Sequence, residues 1–221
     1  MKITIIYDNQ AWDPGLEADW GFACLIEAPD GRRLLFDTGA NGALLLKNMA
    51  RLGIDPKSIP EVVISHLHWD HLGGLPAFLE QNPQATVFLP ASCPPPAKAT
   101  RSVAVRGPCL ITPLIGSTGE LTGGEQSLVL AAGRGWTVVS GCAHPGVGAI
   151  LKAASGFGRV TALVGGLHGF QEFELLKDLD LVCPCHCTRH IKEIRERYPD
   201  SFVSGGAGKV LEMEPGKREP E

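Results

Sequence analysis

The chain has 221 residues, 44% hydrophobic and 20% charged, a balance that can bury a core and excludes a disordered segment. Lys and Arg number 20 against 24 for Asp and Glu, a net charge of −4 that opposes attraction to nucleic acid or an anionic membrane surface. No uninterrupted apolar run of about 18 residues occurs, which excludes a transmembrane helix, and the short apolar start ending at Asp8 lacks the long stretch of a signal peptide.

Residues 3–7, 22–27 and 33–36 read as short strands, rich in branched or aromatic side chains and separated by turn-formers such as Pro14-Gly15 and Pro29-Asp30-Gly31. Residues 41–52 place Leu44, Leu45, Met49 and Leu52 at helical spacing before Gly53, and a buried strand follows at 61–64. A helix at 75–81 and a strand at 86–89 lead into residues 90–118, which carry Cys93-Pro94-Pro95-Pro96 and read as a surface excursion or lid. The second half repeats the rhythm, with strands at 127–130, 136–140 and 160–164 around a helix at 146–154. A helix at 172–179, a strand at 181–183, a helix at 191–198 and short strands at 202–203 and 210–211 complete one domain over residues 1–213, with a polar tail at 214–221. About a dozen strands with interspersed helices imply a layered α/β sandwich.

Ser65-His66-Leu67-His68-Trp69-Asp70-His71-Leu72-Gly73-Gly74 directly follows the strand at 61–64. In extended chain alternate residues face the same way, so His66, His68 and Asp70 converge while the next turn brings His71 alongside. Imidazoles suit zinc, iron and similar metals and the carboxylate adds a harder ligand, a set matched to two neighbouring metals. His144, His168 and His186 each lie just past an expected strand, where ligands gather in open α/β sheets. His190, beside Arg189 and Lys192, reads as a solvated residue within a helix.

These residues resemble the metallo-β-lactamase superfamily, whose His-x-His-x-Asp-His motif follows a strand of an αββα sandwich of two mixed sheets with helices outside. The resemblance implies that His66, His68 and His144 hold a first metal and that Asp70, His71 and His186 hold a second. It also casts Asp37, in Phe36-Asp37-Thr38-Gly39, as the aspartate that supports the metal-binding loop. Asp8-Asn9, Trp20-Gly21-Phe22, Glu125-Gln126-Ser127-Leu128, Gly141-Cys142-Ala143-His144-Pro145-Gly146, Gly165-Gly166-Leu167-His168 and Pro184-Cys185-His186-Cys187-Thr188 are similar to one branch. That branch is named for 7,8-dihydropterin-6-methyl-4-(β-D-ribofuranosyl)-aminobenzene-5′-phosphate synthase, a transferase.

One departure stands out. Superfamily hydrolases place a bridging aspartate after the strand that here ends at Val164, where this chain has Gly165-Gly166 and then His168. His168 is thus a further metal ligand or a catalytic, substrate-binding group, and Thr188 is a second candidate for substrate contact. Cys142, Cys183, Cys185 and Cys187 read as small buried residues, with Cys142 or Cys187 near the metal pocket, because Cys-x-Cys-x-Cys lacks the paired spacing of zinc and iron–sulfur motifs. The chain's odd total of seven cysteines, three of them crowded at 183–187, suits a reducing, cytoplasmic setting. Gly205-Gly206-Ala207-Gly208-Lys209 lacks the first glycine and the Ser or Thr of a P-loop and reads as a turn.

The expected function is a metal-dependent enzyme, hydrolase or pyrophosphate-displacing transferase, with catalytic Asp70 and His168. Its expected cofactor is one or two divalent metals, zinc first and iron or manganese next. Its expected partner is a small anionic substrate, phosphorylated or pterin-like, with neither nucleic acid nor membrane, and a homo-oligomer is compatible with the sequence. The competing readings are a non-catalytic metal- or ligand-binding protein and an iron-dependent redox protein.

Overall fold

The computed structural model describes residues 1–214, and the expected tail at 214–221 lies outside them except for Glu214. Strands β1 (Lys2–Tyr7), β2 (Ala23–Glu27), β3 (Arg33–Phe36), β4 (Glu61–Val63), β5 (Thr86–Pro90), β6 (Arg101–Val105) and β13 (Val210–Glu212) form one sheet, in the order β13-β1-β2-β3-β4-β5-β6. The second sheet runs β12 (Leu181–Cys185), β11 (Val160–Gly166), β10 (Gly135–Ser140), β9 (Leu128–Ala132), β8 (Ile115–Ser117) and β7 (Cys109–Thr112). Both sheets are mixed: β3 to β6 pair in parallel beside antiparallel β1 and β2, and β10 to β12 pair in parallel beside antiparallel β7 to β9.

Alternation along the strands builds the layers. Ile3 and Ile5, Cys24 and Ile26, and Leu34 and Phe36 face Leu128, Leu130, Val139 and Val164 across the space between the sheets. The intervening residues Ile6, Leu25, Leu35 and Val62 point outward, under helices α1 (Gly42–Arg51) and α3 (Leu75–Gln81), which contribute Leu45, Met49, Phe78 and Leu79. On the far side, Val129, Val138, Leu163 and Val182 pack under α4 (Val147–Ala154) and α5 (Ile191–Arg197) through Ile150, Ala154 and Ile194. The strands therefore read as nearly continuous apolar runs because both of their faces are covered. Asn41 caps α1 by accepting from the Ala43 and Leu44 amides. Among the described residues no helix is long and apolar enough to cross a membrane.

Four expectations need correction. Residues 90–118 are not simply an excursion: β6 extends the first sheet, and β7 and β8 form the edge of the second. The expected helix at 172–179 is a single 3₁₀ turn, Phe173–Leu176, and 202–203 forms only an isolated bridge with Val182. His190 stands at the N-cap position of α5 rather than within it.

Because the inter-sheet layer carries the fold, Leu130→Ala is expected to cost about 2–5 kcal/mol. Leu110→Ala, on the exposed β7 edge, is expected to stay within about 0.5 kcal/mol of wild type, and urea unfolding midpoints of the two variants check both.

Candidate metal centre

The site lies where the parallel strands end. The His66 to His71 segment leaves β4, Cys142 and His144 follow β10, His168 follows β11, and His186 follows β12. A short helix, α2 (Trp69–Leu72), starts after His68 and turns Asp70 and His71 inward, both buried. Gly73 and Gly74 press this loop onto the chain after β3, where an added Cβ would lie 2.2 Å from Ala40 O or 2.1 Å from Thr38 O. Thr38 completes the tie by donating its amide and its hydroxyl to His71 O, each at 2.8 Å.

The tautomer of each ring is assigned from its hydrogen-bond partners. Asp37, fully buried, accepts from the Ser65 amide at 2.6 Å, the Ser65 hydroxyl at 2.7 Å and His71 Nδ1 at 2.7 Å. The Ser65 proton is thereby committed, so His66 Nδ1, 2.8 Å from Ser65 Oγ, is the donor in that contact. His144 Nδ1 donates to Glu125 Oε2 at 2.8 Å, and His186 Nδ1 donates to Asn9 Oδ1 at 2.9 Å. In all four rings Nδ1 carries the proton toward the protein, which leaves Nε2 free to ligate.

The free nitrogens have few partners. His66 Nε2 and His186 Nε2 are buried and make no hydrogen bond, although His186 Nε2 approaches Asp70 Oδ2 to 3.3 Å. Buried polar atoms without partners are uncommon in native folds. Among the described residues, ligand atoms converge, each set within 4.8 Å, in four groups: His66, His68 and His144; Asp70, His71 and His186; His66, His71 and Cys142; and Cys142, His186 and Cys187. Nitrogen, carboxylate oxygen and sulfur at such spacing fit zinc or a similar borderline metal.

Electrostatics follow from the same contacts. Burial, aided by the neighbouring His71 charge, lowers His66 to about 3. Burial alone would also depress His71, but the charge and hydrogen bond of Asp37 outweigh it and raise it. Burial works upward on Asp70 and Glu125 as well. Contacts with His186 and His71 nevertheless hold Asp70 well below the usual carboxylate range, and the His144 contact and main-chain amides bring Glu125 to about 2.

The structure brings together His66, His68, Asp70, His71, His144 and His186, with Asp37 behind them. His168 belongs to none of the four groups: its ring is exposed and stands 5.2 Å from that of His144, centroid to centroid. Thr188 departs from its expected substrate contact. It is buried, accepting from the Leu167 amide at 3.0 Å and donating to Cys185 O at 2.7 Å, and so ties the loops after β11 and β12 together. Cys183 and Cys185 point into the inter-sheet core, whereas Cys187 turns to the site, 3.3 Å from Cys142 Sγ.

Four supporting residues escaped the sequence reading. Glu125 accepts the amides of Cys142, Ala143 and His144 at 2.8 to 3.0 Å, and Asp8 accepts the His186 amide at 2.9 Å. Trp20 donates its indole N–H to Asp70 Oδ2 at 2.9 Å, and Asn9 grips His186 at both its ring and its carbonyl. Asp8-Asn9, Trp20 and Glu125 were visible only as parts of family-like motifs, without a role.

The sequence pattern of the Metallo-beta-lactamase superfamily matches residues 21–148. The chain belongs to this superfamily. It is 25% identical to a 7,8-dihydropterin-6-methyl-4-(beta-D-ribofuranosyl)-aminobenzene-5'-phosphate synthase from Methanocaldococcus jannaschii, covering 95% of each chain. Tm1679, described as a metal-dependent hydrolase of the beta-lactamase superfamily, is 26% identical with a TM-score of 0.78, covering 97% of this chain and 99% of that one. The metallo-beta-lactamase fold protein YhfI from Bacillus subtilis shares the fold at 13% identity and a TM-score of 0.71, over 95% of this chain and 98% of its own.

Glu125 gives a pH test with a defined sign. Its folded value of about 2 lies below the ordinary 4.5, so the unfolded chain takes up the proton first as pH falls. Its stabilisation is complete above about 4.5 and lost toward about 2. The stability gap between metal-free wild type and Glu125→Gln is therefore expected to narrow between pH 6 and pH 3, as read from urea midpoints. A gap that stays constant contradicts the assignment.

Proposed function

We propose that this protein is an enzyme that holds two divalent metals, zinc first among them, and acts on a small anionic substrate of the phosphorylated or pterin-like class. The observation that carries the proposal is the pair of buried, unpartnered nitrogens, His66 Nε2 and His186 Nε2. Each belongs to a separate group of converging ligand atoms, and in each ring the opposite nitrogen is already hydrogen-bonded. In this reading His66, His68 and His144 hold one metal, and Asp70, His71 and His186 hold the other. Bound there, divalent metals supply Lewis-acid stabilisation of negative charge on substrate oxygens.

The chain's own residues do the rest. Asp37, Glu125 and Asn9 fix the rings before substrate arrives, so that little reorganisation is left for the reaction. Trp20 holds Asp70 by its indole N–H. His168, exposed beside His144, is placed to exchange a proton with substrate. An apolar cavity of about 570 Å³ lined by Leu67, Trp69, Leu72, Leu75, Pro94 and Pro95 adjoins the metal-binding loop. Together with the exposed rings of Trp20 and Trp69, it suits a flat organic moiety next to an anionic group. Of the relatives aligned over nearly their whole length, one is named as a synthase and another as a hydrolase, which supports transfer or hydrolysis as the reaction.

Protein purified without added metal is expected to contain about two divalent ions per chain, falling in His66→Ala and Asp70→Ala. His168→Ala is expected to keep the metal while kcat on phosphate or pyrophosphate ester substrates falls by about 10²-fold or more. Release of pyrophosphate marks transfer, release of phosphate or alcohol marks hydrolysis, and full activity after chelation overturns the proposal.

A further inference from the structure

Cys142 follows β10, and its sulfur belongs to two of the four donor groups, one with His66 and His71 and the other with His186 and Cys187. Cys142 Sγ stands 3.1 Å from His71 Nε2 and 3.3 Å from Cys187 Sγ. It is thus within 4.8 Å of a ring nitrogen of His66 and of a ring nitrogen of His186, the two rings whose buried Nε2 atoms lack a partner. Its position is well defined, because Glu125 holds the Cys142 amide at 3.0 Å and the next residue, Ala143, turns with φ of 60°.

The neighbouring strand leaves no room for a side chain here. At the end of β11 one would have to leave from Gly165 or Gly166, but a Cβ at Gly165 would fall 2.0 Å from Ser140 O. At Gly166 it would fall 2.2 Å from Gly141 O and 2.9 Å from Cys187 Sγ. Real Cβ atoms do not come this close to backbone, so no carboxylate can project from either position. The same close approach seats the chain that carries Cys142 against Cys187.

We propose that Cys142 Sγ is a metal ligand shared between the two donor groups, joining them into one binuclear centre, with Cys187 hydrogen-bonded to that sulfur. The proposal rests on the metal-dependent reading above and sharpens it. A thiolate is soft and favours zinc or iron over magnesium, calcium or manganese. Ligation exchanges the S–H bond for sulfur–metal bonds, and the thiol proton leaves to solvent.

X-ray absorption at the zinc edge of the zinc-loaded full chain tests this directly, alongside near-ultraviolet spectra of cobalt(II)-loaded wild type, Cys142→Ser and Cys187→Ser. The expected absorption result is a sulfur shell at about 2.3 Å with about one sulfur per zinc, since a shared atom counts once at each metal. The expected spectra show a thiolate-to-cobalt charge-transfer band that disappears in Cys142→Ser and survives in Cys187→Ser. Two metals surrounded only by nitrogen and oxygen, or about half a sulfur per zinc, overturn the proposal. A band that survives in Cys142→Ser overturns it too, as does one lost only in Cys187→Ser. If Cys142→Ser fails to fold, the absorption measurement on wild type decides alone. A wild-type chain that takes up no metal overturns this inference together with the reading beneath it, so metal content tells the two failures apart.

Discussion

A carboxylate sealed from water between two sheets must be fully partnered, and Asp37 is such a group. An uncompensated buried charge costs several kcal/mol, so the surrounding chain is arranged to meet it. Its three donors are the Ser65 amide, the Ser65 hydroxyl and His71 Nδ1, which together fix the exit of β4 and the start of the metal-binding loop. From that anchor the orientation of His66 follows through Ser65, and that of His71 follows directly. Burial still raises Asp37 despite these contacts, as expected for a group whose ionised form depends on neighbours rather than on solvent.

Glu125 plays a matching part on the second sheet, collecting three consecutive amides and the His144 ring with one side chain. The residues these carboxylates organise sit in uncommon backbone conformations. Among the described residues, the non-glycine positions with positive φ are Asp37, Ala143, His168 and His186, every one of them at the site. Left-handed backbone costs about 1–2 kcal/mol for an ordinary residue. It persists where surrounding contacts over-determine it, commonly at functional sites. Here those contacts include the Asp8 bond to the His186 amide and the Arg189 amide bond to His168 O.

Much of this was legible in the sequence, for identifiable reasons. The His66 to His71 motif declared itself because extended-chain alternation and residue chemistry are local properties, and His144 and His186 because each directly follows a strand. The apolar strands at 3–7, 33–36 and 160–164 were equally plain, since burial on both faces leaves an unbroken hydrophobic run. Edge strands β6 and β7 were hidden: they are mostly exposed, and the triple proline before them reads as irregular chain. Thr188 looked available for substrate because nothing local reveals its two main-chain partners. Trp20 acquires its role from a residue 50 positions away, and Cys142 from His71, 71 positions earlier, relations that only the folded topology creates.

The contact between Asp8 and the His186 amide spans 178 positions, and its consequence concerns the order in which the molecule is made. During synthesis the amino-terminal portion leaves the ribosome first. Asp37, Ser65 and His71 emerge together, whereas Glu125, Cys142, His144 and His186 have yet to be added. The nascent chain therefore passes through an interval in which His66, His68, Asp70 and His71 are present without their later neighbours. An ion captured at that stage would meet a donor set of different composition from the finished one. For a chain that holds metals as proposed, loading before the second sheet closes would offer only the ligands of the first segment, and loading after it would offer the full donor set.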